Sequence, residues 1–131
     1  MGTPLLQISQ LHAGYGKAEV LHGLNLHAER GSVITVIGPN GAGKSTLLNS
    51  LMGLLPSAGR IEFNGESIDT LTLEERVMLG IALAPEKREL FGTMSVEDNL
   101  RLGAYRFGGH GMNEALEEVF QRFPRLKERR K

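Results

Sequence analysis

The chain has 131 residues, which fits one domain with a buried core. Its 15 Lys and Arg cancel 15 Asp and Glu, so no general attraction draws it to nucleic acid or to an anionic membrane surface. With no cysteine, disulfides, thiolate metal sites and a cysteine nucleophile are excluded, and the composition fits a reducing compartment.

From the N-terminus, Met1–Pro4 has no charged start and the apolar stretch behind it is short, so no secretory leader is expected. No run approaches the ~20 apolar residues needed to cross a bilayer. Leu6 and Ile8 alternate with Gln7 and Ser9, the period of a half-buried strand. His12–Lys17 reads as a loop containing Tyr15, and Val20, Leu21, Leu24 and Leu26 predict a second strand that ends before Arg30-Gly31.

Val33-Ile34-Thr35-Val36-Ile37 predicts a buried strand, and Leu47, Leu48, Leu51 and Leu55 have helical spacing. Between them stands Gly38-Pro39-Asn40-Gly41-Ala42-Gly43-Lys44-Ser45-Thr46. This is the Gly-x-x-x-x-Gly-Lys-Ser/Thr pattern in the strand–loop–helix setting it requires. A triphosphate tail needs many close donors and little steric bulk. Gly38, Gly41 and Gly43 let the backbone curl and approach closely, through positive φ and a missing Cβ. The converging N–H groups and the positive end of the following helix then form an anion nest. Lys44 reaches the β- and γ-phosphates, Ser45 offers a hydroxyl to Mg²⁺, and Thr46 falls on the α-phosphate side.

Further on, Gly53, Pro56 and Gly59 punctuate the helix exit. Ile61 and Phe63 alternate with polar residues ahead of Asn64-Gly65, a hairpin signal. Thr72-Leu73-Glu74-Glu75 opens a capped helix to about Leu79, and Ile81–Ala84 predicts a second buried strand stopped by Pro85. Glu86 leaves that strand, where a carboxylate beside a phosphate loop faces metal and attacking water. Ser95-Val96-Glu97-Asp98 opens another helix, Gly108–Gly111 is a break, and Leu116, Val119, Phe120 and Phe123 share one face of a helix ended by Pro124. The basic tail Arg125–Lys131 reads as a solvated helix face. His12, His22, His27 and His110 lack the paired spacing of a metal site, and Met78 and Met94 suit packing. The element pattern argues for an α/β nucleotide-binding core with a small antiparallel layer and a helical insertion.

Tyr15, the GPNGAGKST loop, Pro85-Glu86-Lys87-Arg88-Glu89-Leu90-Phe91 and Ser95–Leu100 follow one another in an order that resembles the N-terminal half of an ABC transporter ATP-binding subunit. The branched-chain amino acid importers are the subgroup it most resembles. The resemblance implies an incomplete P-loop NTPase core over residues 1–85, followed by the glutamine-loop region and part of the helical subdomain over residues 86–131. It implies ATP and Mg²⁺ as cofactors. Residues 38–46 would hold the phosphates, with Tyr15 stacking on adenine and Val20 lining the same pocket. Lys44 and Glu86 would be the catalytic groups, and Ser45 and Glu86 the metal-side groups. The implied partners are integral-membrane permease subunits and a second ATP-binding subunit in a head-to-tail dimer. The implied place is cytoplasmic, peripheral on the inner face of the cell membrane.

The family's Leu-Ser-Gly-Gly-Gln-like signature, its strand ending in Asp-Glu and its switch histidine do not occur in the sequence. A truncated subunit that turns over poorly by itself is therefore expected. Three alternatives remain: a non-hydrolysing nucleotide-binding fragment or decoy, an ABC-type ATPase acting on nucleic acid, and a small P-loop kinase. Neutral charge opposes the nucleic-acid reading, and no convincing Mg²⁺ carboxylate supports the kinase.

Overall fold

The computed structural model describes residues 2–131. Its first strands are local hairpins. β1 (Leu6–Tyr15) and β2 (Ala18–Ala28) run antiparallel and are joined at Gly16-Lys17. β3 (Ser57–Phe63) pairs with β1, and β4 (Glu66–Ser67) pairs with β3, giving a sheet of order β2-β1-β3-β4. Asn64 and Gly65 take φ of 53° and 83°, the left-handed pair that a tight β3–β4 turn demands.

β1 does not alternate strictly. Its inward residues are Ile8, Leu11 and Ala13, because the pairing slips between Ile8 and Leu11. Gln10 takes the extra place at φ 51°, and its N–H donates to Asn25 Oδ1 at 2.9 Å. This bulge turns Leu11 into the core and His12 out to solvent. Ile8, Leu11, Ala13, Leu21, Ile61 and Ile68 form the core, and Leu47 closes it from helix α1 (Lys44–Leu51). Helix α2 (Leu73–Leu79) begins with the expected capping box: Thr72 Oγ1 accepts from the Glu75 N–H, and Glu75 Oε2 accepts from the Thr72 N–H.

Several expectations need correction. His12–Tyr15 is strand, not loop; pairing with β2 extends it, and only Gly16-Lys17 turns. α1 ends at Leu51, so Leu55 follows the helix, although it still packs on the core. Val33–Ile37 forms no strand, with Val33 91% and Ile37 89% exposed. Ile81–Ala84 is likewise unpaired, and only Ile81 joins the core margin. The cause is topological. An antiparallel pair can close across a short turn, as β1–β2 and β3–β4 do, whereas a parallel strand needs a neighbour brought in by a long crossover. Among the described residues, no strand lies against either run.

The chain divides into two compact units, one ending at Leu83 and one spanning Ala84–Lys131. The second contains α3 (Val96–Gly103), a 3₁₀ turn (Tyr105–Phe107), α4 (Met112–Arg122) and α5 (Pro124–Glu128). Ser95 caps α3 as expected, its Oγ accepting from the Asp98 N–H at 3.1 Å. Leu116 and Phe120 are the buried face of α4. Phe123 lies past the end of α4 and is exposed, and Pro124 both stops α4 and opens α5. Glu97 ties the tail down: it accepts from Arg101 at 2.8 Å and Arg130 at 3.0 Å, and its N–H donates to the Arg130 carbonyl.

Candidate functional site

The loop at residues 38–43 leads directly into α1. Gly41 and Gly43 have φ of 85° and 99°, so the chain makes two left-handed steps before the helix. Gly38 does not. Its value lies in close approach, since a Cβ there would stand 3.0 Å from the Ala42 Cβ. The Ala42 N–H closes the turn onto the Pro39 carbonyl at 3.1 Å.

The helix entrance is rich in free donors. Leu47 N–H bonds to the Gly43 carbonyl at 2.9 Å, the first bond of the helical ladder. Among the described residues, nothing accepts from the N–H groups of Gly43, Lys44, Ser45 or Thr46, and no side chain caps the helix. A helix start ordinarily recruits Ser, Thr, Asp or Asn for this duty. Here no acidic residue occupies the first turn, so the positive end of the helix stays unneutralised.

Lys44 Nζ donates to the carbonyls of Gly38 at 2.6 Å and Pro39 at 2.9 Å, which draws its ammonium across the loop mouth. Ser45 is exposed, and Thr46 is 5% exposed beside Leu47. The β1–β2 hairpin adjoins this loop: a Cβ on Gly43 would lie 3.0 Å from Val20 Cγ1 and 3.0 Å from Leu21 Cδ2. Tyr15 ends β1 at the tip of that hairpin and is 53% exposed, leaving its ring available. Glu86 belongs to the second unit, exposed in the bend Glu86-Lys87, and makes no ion pair among the described residues. Among the described residues, no cluster of three or more His, Cys, Asp or Glu is arranged for a metal. The exposed Ser45 hydroxyl beside an anion nest does suit Mg²⁺, an ion that takes few protein oxygens and several from phosphate and water.

One residue at the back of α1 escaped the sequence reading. Arg76 is 4% exposed, and its guanidinium donates to the carbonyls of Ser50 and Leu51, the last two residues of the helix. Only tertiary structure brings it there; the sequence shows an arginine inside a short capped helix.

Comparison with known proteins gives the family. Residues 21–131 match the ABC transporter family. The chain belongs to that family. It is 36% identical over 126 residues to the high-affinity branched-chain amino acid transport ATP-binding protein BraG of Pseudomonas aeruginosa, covering 95% of this chain and 54% of BraG. A probable branched-chain amino acid transport ATP-binding protein, LivF of Archaeoglobus fulgidus, is 34% identical over 124 residues, 94% of this chain and 52% of its own. The xylose import ATP-binding protein XylG of Photobacterium profundum is 36% identical over 105 residues, 78% of this chain and 21% of its own. The solved ATP-binding subunit of an ABC transporter superposes with a TM-score of 0.81 at 31% identity, over 96% of this chain and 52% of that one. The α/β ABC ATPase fold is thus present in part, and the chain spans about half the length of BraG and LivF.

Proposed function

We propose that this chain is the nucleotide-binding portion of an ABC importer's ATP-binding subunit. The observation that carries the reading is the uncapped entrance of α1, where four N–H groups lack acceptors among the described residues beside the Lys44 ammonium. Polyphosphate is the ligand such an entrance suits. Lys44 exchanges two neutral carbonyls for the β- and γ-phosphate oxygens, residues 38–46 wrap the tail, and Ser45 takes Mg²⁺. Tyr15 lies against adenine, with Val20 lining the same pocket. The resemblance assigns Glu86, the first residue of the 86–131 portion, to the γ-phosphate and Mg²⁺.

The names of BraG and LivF favour branched-chain amino acids as cargo, while that of XylG specifies a sugar. Cargo passes through membrane permease subunits, which hold the protein at the inner face of the membrane. Exposed Leu90, Phe91, Tyr105 and Phe107 in the second unit offer apolar surface for such a partner. Among the described residues, no helix is long and apolar enough to cross a membrane. A second ATP-binding subunit, docked head to tail, supplies groups that this sequence does not contain.

Calorimetric titration with Mg-ATP tests the reading. Lys44→Ala is expected to weaken binding by roughly 10- to 100-fold, the range for a lost charged hydrogen bond. Unchanged affinity would remove the phosphate site. Turnover by this chain alone at ordinary ATPase rates would overturn the expectation that it needs complementary groups.

A further inference from the structure

Arg76 is the only buried ionisable side chain among the described residues. It serves carbonyls and makes no ion pair among the described residues. Nη1 donates to the Ser50 carbonyl at 3.0 Å and the Leu51 carbonyl at 2.7 Å. Nε donates to the Leu71 carbonyl at 3.1 Å and Nη2 to that of Asp69 at 3.4 Å. Ser50 and Leu51 end α1, and Asp69 and Leu71 belong to the loop that enters α2. One planar fork therefore bolts the tail of the phosphate-loop helix to the neighbouring loop.

Gly53 makes room for it. A Cβ at that position would stand 3.1 Å from Arg76 Nε and 3.2 Å from Cζ. Burial pushes the guanidinium below its ordinary pKa, with the Asp69 carboxylate opposing. A cation removed from water with no carboxylate in direct contact is a costly way to fill space, since an apolar side chain would pack the same volume more cheaply. Its position explains the choice. The last carbonyls of a helix are its unsatisfied acceptors and its negative pole.

We propose that Arg76 is a positioning residue for the phosphate loop. By clamping the end of α1 it sets the height and direction at which the N–H groups of Gly43 to Thr46 meet an anion. By cancelling the helix's negative pole it leaves the positive pole unopposed. α1 is only 8 residues long, so a shift at one end is felt at the other. This inference rests on the nucleotide reading above.

The test uses the full chain as wild type, Arg76→Lys and Arg76→Met, with Mg-ATP as the probe. Two quantities are measured: affinity, and amide hydrogen exchange of α1 against that of β1 and β3. Arg76→Met is expected to bind roughly tenfold more weakly, the scale of a small misplacement relayed to a site. Exchange should rise in α1 while β1 and β3 keep their protection. Arg76→Lys keeps the charge but loses the fork, so its affinity should fall in between. Equal affinity in all three proteins would overturn the proposal, as would equal loosening of helix and sheet. Should Arg76→Met fail to fold, Arg76→Lys decides by the same two measurements. Should wild type bind no Mg-ATP, the nucleotide reading falls, and the exchange contrast alone decides whether the clamp exists.

Discussion

Lys44 holds two loop carbonyls at hydrogen-bond distance with a compact ammonium that rotates freely to new acceptors. Arginine carries the same charge on a broad planar fork that cannot take that place. Lys44→Arg is therefore expected to lose most of the Mg-ATP affinity despite conserving charge, as titration beside Lys44→Ala would show. Leu11 illustrates the other kind of residue. It is completely buried, so Leu11→Ala should destabilise the chain by about 2–5 kcal/mol in urea unfolding, through lost transfer energy and the cavity left behind. The sequence made Lys44 and Ser45 legible because loop, helix start and side chain lie within one short segment. It hid Arg76, whose α1 partners lie 25 and 26 positions away. It also hid the Gln10 bulge, which carries no composition signal and moves Leu11 and His12 to the faces they occupy.

Turns and caps were readable, whereas strand extent was not: the end of β1 at His12–Tyr15 reads as a loop although its β2 partner is local. The Asn64-Gly65 turn and the Thr72 and Ser95 caps draw on neighbours a few residues away. Val33–Ile37 has the right composition for a central strand but, among the described residues, no strand beside it, so its amides should exchange far faster than those of β1, which is paired on both sides. Mass-resolved hydrogen exchange would check the contrast. In the second unit, Arg101 and then Arg130 hold the Glu97 carboxyl below its ordinary value of 4.5. A carboxyl lowered by folding contributes stability above its ordinary range and loses it as pH falls through the lowered value. The clamp between α3 and the tail should therefore loosen under acid. Glu97→Gln should lower the thermal midpoint at pH 7 and shrink the difference between pH 7 and pH 3.

At the scale of the whole molecule, the family was legible because its loop and flanking motifs fall in order along the chain. The architecture was only half legible. Hydrophobic pattern reports which strands prefer burial, and burial depends on what else is present to cover them. The chain spans about half the length of BraG and of LivF, and among the described residues its paired strands are β1 to β4. Ser32–Ile37 then has a consequence of its own. It is uncharged, mostly β-branched, free of proline and open to solvent, the make-up of segments that stack in register with copies of themselves. Concentrated protein should deposit thioflavin-positive fibrils with a 4.7–4.8 Å meridional repeat, and Val36→Lys should delay their onset. The ribbon that leads into the glycine-rich loop thus has the composition of a cross-β segment, and its exposed edge is where self-stacking of this chain should begin.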